Sequence, residues 1–152
     1  MDILTILGAL AGVKKEYPDI KVYAAAEEKE VMESPALNLS SSFGAAFTAQ
    51  ADIYLEDGAE IEVLGRKCKC LLVPGHTKGG MCYYFPEENV VFTGDTLFCY
   101  SVGRTDFPTG DAKALENAIR EQLFTLPDET LVLPGHDAQT MIGKEKKGNP
   151  YF

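Results

Sequence analysis

From Ile6 to Tyr17 the apolar residues Ile6, Leu7, Leu10, Val13 and Tyr17 recur at steps of three and four, the period of one helical face, and Pro18 cannot continue the ladder. This segment is predicted to be an amphipathic helix. Lys21 to Ala24 reads as a strand, Glu27 to Met32 as a short helix and Ser40 to Gly44 as a polar loop. Short β-rich runs then follow in series at Ile61 to Leu64, Cys68 to Val73, Met81 to Phe85 and Val90 to Thr93. Each is bounded by Gly, Pro or Asn, and Glu87-Glu88-Asn89 makes a hairpin turn. Asp111 is placed to cap a helix running towards Leu126, with Leu115, Ile119, Leu123 and Leu126 on one stripe and Pro127 closing it. Thr130 to Leu133 returns as a buried strand. Helices and strands mixed without strict βαβ alternation predict one α+β domain of layered type over residues 1–152, rather than a doubly wound sheet.

Composition narrows the partners. A chain of 152 residues that is 45% hydrophobic can bury a core without covalent help. Twenty-three acidic against 14 basic residues give a net charge of −9, which repels nucleic acid and anionic membranes, so neither is an expected partner. No apolar run reaches the roughly 18 residues of a spanning helix. The opening MDILTILGAL has neither a basic leader region nor a small-residue cleavage site, and a cytoplasmic location is expected. Four cysteines are too few for a disulfide scaffold and are read as thiols. Cys68 and Cys70 alternate with Lys67 and Lys69 and are assigned to the core; Cys99, close behind Asp95, is the one nearest to candidate chemistry.

Both histidines of the chain share one context: Leu71-Leu72-Val73-Pro74-Gly75-His76 and Leu131-Val132-Leu133-Pro134-Gly135-His136. With this chain's glycine and proline content, two histidines would both follow Pro-Gly by chance about 2 times in 100,000. Each is a buried strand emptying into a tight turn, a rigid mount that projects an imidazole past the sheet edge. A third strand, Val90 to Thr93, ends in Gly94-Asp95-Thr96. Alone, Asp95 would serve equally as a turn cap. Together, His76, Asp95 and His136 suit a three-ligand Zn²⁺ site with open positions, or an Fe(II) facial triad.

These motifs, with Thr77-x-Gly79-Gly80, Thr96-Leu97-Phe98, Gly103-Arg104-Thr105-Asp106, Ile142-Gly143 and the closing Asn149-Pro150-Tyr151-Phe152, resemble the second part of a metallo-β-lactamase-fold hydrolase, nearest the hydroxyacylglutathione hydrolase (glyoxalase II) branch. The resemblance runs from about Ile6 to the C-terminus. It implies an αβ/βα sandwich with a metal pair, zinc or sometimes iron or manganese, and hydrolysis of thioesters or related small acyl compounds. It makes His76 the terminal ligand of the first metal, Asp95 the bridging carboxylate and His136 a ligand of the second.

One departure outweighs the matches. The family's H-x-H-x-D-H motif is absent from a chain with two histidines. Ile3-Leu4-Thr5 resembles the end of the strand before that motif, and Ile6-Leu7-Gly8-Ala9-Leu10 the start of the helix after it. The expectation is a truncated family domain, its first strands missing. Three ligands allow at most one ion, impaired hydrolysis, and a homo-oligomer, a dimer for example, that covers the bared strands. The alternative is a catalytically silent fold fragment that self-associates. Arg104 and Asp106 are expected to brace their loop. Lys144, Lys146 and Lys147 either steer an anionic thiol conjugate or form a solvated run. Phe43, Phe47, Tyr83 and Tyr84 are assigned to core or rim.

Overall fold

Short strands separated by tight turns pair most readily with their sequence neighbours, and the second half of the chain is built this way. The computed structural model describes residues 3–44 and 46–152. It divides into two compact units, Met1–Leu55 and Glu56–Phe152.

In the first unit, helix α1 (Ile3–Glu16) is followed by strand β1 (Tyr23–Ala25), a 3-10 turn (Ala26–Glu28), helix α2 (Lys29–Glu33), a second 3-10 turn (Ser40–Phe43) and strand β2 (Ile53–Leu55), which pairs in parallel with β1. Asp52 joins these elements: its carboxylate accepts from Lys14 Nζ and from the Val22 amide, both at 2.8 Å. The Lys14 bond holds the Asp52 carboxyl below the usual carboxylate range. Two sequence expectations are corrected here. Ile3-Leu4-Thr5 is helical rather than the end of a strand, since no breaker separates it from the helical run that follows. Met1 and Asp2, the rest of that junction, lie outside the described residues. The Ser40 to Gly44 loop contains a 3-10 turn, stabilised where the Ser40 amide donates to buried Asn38 Oδ1 at 2.9 Å.

The second unit is a six-stranded sheet carrying helices. Strands β3 (Glu60–Val63), β4 (Arg66–Leu72), β5 (Met81–Phe85) and β6 (Val90–Gly94) form an antiparallel meander. Strand β9 (Leu131–Pro134) lies parallel to β6, and β10 (Thr140–Met141) closes the edge, giving the order β10-β9-β6-β5-β4-β3. The β3–β4 turn is Leu64-Gly65 with both φ positive, at 52° and 77°, the geometry that matches strand twist in a two-residue hairpin. Between β6 and β9 run a small hairpin, β7 (Leu97–Phe98) with β8 (Ser101–Val102), and helix α3 (Ala112–Ala118), which continues as a π-helical turn (Ile119–Leu123). Asp111 caps α3, its carboxylate accepting from the Ala114 amide at 2.9 Å, as the sequence predicted. Leu71, Val73, Cys82, Val91 and Val132 form one core with Leu115, Ile119 and Leu123. Each such large side chain contributes about 1.5–3 kcal/mol by leaving water.

The α+β expectation is met, with strand ends displaced by a residue or two. Elements β2, β7, β8, β10 and helix α4 (Ile142–Gly148) were not predicted, because two- and three-residue strands carry no readable period and α4 lies within a lysine-rich run. Cys68 and Cys70 are buried as expected, and burial pushes the Cys68 thiol up to about 12, which leaves it inert at neutral pH.

Candidate metal centre

Three strand ends of the second unit deliver the three predicted side chains to one place. After β4, the Val73 amide donates to the Gly80 carbonyl at 2.7 Å, and the chain turns through Gly75, with φ +135°, into His76. After β6, Gly94 at φ +51° turns the chain into Asp95. After β9, the Gly135 amide donates to the Gly94 carbonyl at 2.8 Å, which sets the His136 turn directly against the Asp95 turn. The result is that Asp95 lies between two imidazoles. Its Oδ1 is 2.7 Å from His136 Nδ1, and its Oδ2 is 3.7 Å from His76 Nε2.

The hydrogen bonds decide which ring nitrogens are bare. His76 Nδ1 lies 2.8 Å from the Arg104 carbonyl, which can only accept, so Nδ1 carries a proton, and in the neutral ring it is Nε2 that presents its lone pair, on the side of Asp95. At neutral pH a carboxylate likewise only accepts, so His136 Nδ1 donates to Asp95 and its Nε2 is the bare nitrogen. His76 Nε2 and His136 Nε2 are both buried without a hydrogen-bond partner. Buried polar atoms are nearly always paired, so these two imidazole nitrogens, one facing Asp95 and the other on the far side of the His136 ring, are donors of the type a cation takes.

That set does not fit the metal pair implied by the family resemblance, because two imidazoles and one carboxylate leave out every ligand of the H-x-H-x-D-H motif. It fits one ion in donor type, with His76 Nε2 and Asp95 Oδ2 already facing. His136 instead closes on Asp95, and among the described residues no group of three or more His, Cys, Asp or Glu side chains stands in finished ion-binding geometry.

The surroundings hold these rings. Phe107 meets His76 edge-on at 5.0 Å between centroids, and Phe98 meets His136 at 5.9 Å. Arg104 braces its loop as expected, with Nε and Nη2 each 2.6 Å from the Asp106 carboxylate, and its guanidinium lies 4.7 Å from the Phe107 ring centroid. The Arg104 bonds hold the Asp106 carboxyl down at about 2. Lys146 pairs with Asp128 at 2.6 Å and also donates to the Leu126 carbonyl, and Lys147 reaches Asp128 at 3.9 Å. Cys99 is half-buried in the turn between β7 and β8. Sequence reasoning assigned no role to the Arg104 carbonyl, Phe98 or Phe107; their signals were the Thr96-Leu97-Phe98 and Gly103-Arg104 motifs, which carried the resemblance alone. Gly103 is obligatory: a Cβ there would overlap the Asp95 carbonyl and lie 3.4 Å from His76 Nδ1.

The sequence profile of the metallo-beta-lactamase superfamily matches residues 7–136. The chain is 40% identical over 106 residues to the hydroxyacylglutathione hydrolase GloC of Haemophilus influenzae, covering 70% of this chain and 47% of that protein. It is also 40% identical over 106 residues to the mitochondrial persulfide dioxygenase ETHE1 of Homo sapiens, covering 67% of this chain and 42% of the relative. The chain thus spans less than half the length of these two curated relatives. Among solved structures, TTHA1623 in a di-iron-bound form superposes with a TM-score of 0.81 at 36% identity, over 96% of this chain and 71% of the other.

Proposed function

This chain belongs to the metallo-beta-lactamase superfamily, and we propose that His76, Asp95 and His136 hold one divalent ion, zinc or else iron or manganese, for impaired hydrolysis of a small thioester or related acyl compound. The observation that carries this reading is that Asp95 stands between two histidine rings whose Nε2 atoms are both buried without a hydrogen-bond partner. Similarity to GloC supports the thioester class. When bound, such an ion lowers the pKa of a water and polarises the substrate carbonyl. The chain's own part is orientation. The Arg104 carbonyl keeps the His76 proton on Nδ1, Phe107 and Phe98 fix the planes of the two rings, and the close passage of Gly135 holds the Asp95 carboxyl between them. The proposal includes a second copy of this chain as partner, with a dimer expected in light scattering at micromolar concentration.

The test is metal analysis after loading with Zn²⁺, Fe²⁺ or Mn²⁺, paired with a glutathione thioester hydrolysis assay. At most one ion per chain is expected, with binding and any hydrolysis both lost in His76→Ala and both retained in Cys68→Ala and Cys70→Ala. Two well-held ions per chain would overturn the single-ion assignment. Metal-free protein whose hydrolysis is indifferent to His76→Ala would overturn the reading as a whole, and a protein that neither binds nor hydrolyses would be the silent fragment.

A further inference from the structure

Glu145 of α4 is fully buried, where a carboxyl group is costly unless its oxygens are hydrogen-bonded. Three neutral donors meet its carboxyl group. The Tyr100 amide and Asn149 Nδ2 donate to Oε2 at 2.9 and 2.8 Å, and the Thr140 hydroxyl donates to Oε1 at 2.6 Å. The first two converge on one hairpin. Tyr100 occupies the turn between β7 and β8 at φ +55°, a conformation that a bulky residue adopts only when its surroundings enforce it. Asn149 also donates to the Ser101 carbonyl, at 3.1 Å. Two-residue strands are too short to hold this turn by themselves.

The hairpin in turn carries the supports of the metal centre. Phe98, at the end of β7, sets its ring edge against His136. Directly after β8, the Gly103 amide donates to the Thr96 carbonyl at 3.0 Å, and the next carbonyl, that of Arg104, takes the His76 Nδ1 proton at 2.8 Å. We propose that Glu145 is a positioning residue for the His76, Asp95 and His136 centre: by gripping the Cys99-Tyr100 turn it places the Arg104 carbonyl on His76 and Phe98 on His136. This assignment gives the proposed single-ion site its rigid mount and so rests on that reading for its purpose, but its geometry stands in the metal-free chain.

The experiment uses the whole 152-residue chain, metal-free and ¹⁵N-labelled. The imidazole nitrogen shifts report the tautomer of each histidine, and amide exchange reports the turn. Glu145→Leu fills the volume and removes the acceptors. Its expected result is loss of the single Nδ1-protonated signature of His76, a shifted His136 signal, and a Tyr100 amide that exchanges about tenfold faster. Glu145→Gln should restore the native pattern, because its oxygen still accepts from Tyr100 while the Thr140 hydroxyl can turn to accept from the new amide. Asn149→Ala, the milder change, should reproduce part of the Leu effect if the Leu variant does not fold. A folded Glu145→Leu protein with native histidine signals would overturn the proposal, as would a Gln variant that behaves like Leu. Native tautomers in a wild-type chain that takes up no metal would overturn the metal reading alone, and the Glu145 variants would still decide this one.

Discussion

The turns at His76 and His136 share the sequence Pro-Gly-His at the end of a buried strand, yet they are built differently. At His76 the glycine is enforced by the helix below: a Cβ on Gly75 would overlap Leu115, whose backbone nitrogen would be 2.5 Å away, and φ is +135°. At His136 the glycine is enforced by the site, since a Cβ on Gly135 would stand 2.7 Å from Asp95 Oδ1. The rings differ accordingly. The His76 side chain is 11% exposed with Nδ1 fixed by a backbone carbonyl; that of His136 is 32% exposed with Nδ1 fixed by the very carboxylate it flanks. One histidine is thus mounted by the fold and the other by the site itself.

The largest test of that difference is steric. Gly75→Ala should cost about 3–5 kcal/mol in denaturant unfolding, because both the helix backbone and a strained φ oppose it. Gly135→Ala should cost less, about 2 kcal/mol, since the Asp95 carboxyl group can rotate while the Gly94 backbone, 3.2 Å from the new Cβ, gives by a few tenths of an ångström, and its mark should be a His136 nitrogen shift that changes more than that of His76. Equal losses would erase the distinction. Next in size is metal affinity. His76→Ala should leave no measurable Zn²⁺ uptake, whereas His136→Ala should weaken binding by about tenfold, because His136 must first release Asp95. The reverse order in a competition titration would make His136 the primary ligand.

The smallest effect is acid dependence. Asp106, held by Arg104 at about 2, has a folded pKa below the ordinary value near 4. Its bracing is therefore complete above the ordinary carboxylate range and is lost as pH falls through about 2. In Arg104→Ala the Asp106 carboxyl shift should titrate near 4 by NMR. An unmoved midpoint would show that the Arg104 side chain does not brace the His76 side of the site.

Much of this arrangement was legible before folding. Strand runs ending at Gly75, Gly94 and Gly135 announced the three mounts, and Asp111 announced its helix, because caps and turn glycines are local chemistry. What sequence could not express was orientation. Which nitrogen of His76 is bare depends on the Arg104 backbone, and Arg104 is presented by a hairpin whose two-residue strands have no pattern. Glu145 likewise reads as one more charge in a lysine-rich stretch; its burial is a tertiary fact. The Ile3 to Thr5 error is instructive in another way, since the expectation came from resemblance and the local helical run prevailed.

The parallel pairing of β9 with β6 has a temporal consequence. Strands β3 to β6 join neighbours across short turns, so their contacts close small loops and form early, while β9 must return over the whole of α3 before it can pair. His76 and Asp95 leave the early meander; His136, 41 residues beyond Asp95, arrives on the late strand. The expected order in refolding therefore brings one imidazole and the carboxylate together first, with the centre completed only when β9 has docked, and pulse-labelled amide exchange that protects β9 before the meander would reverse it.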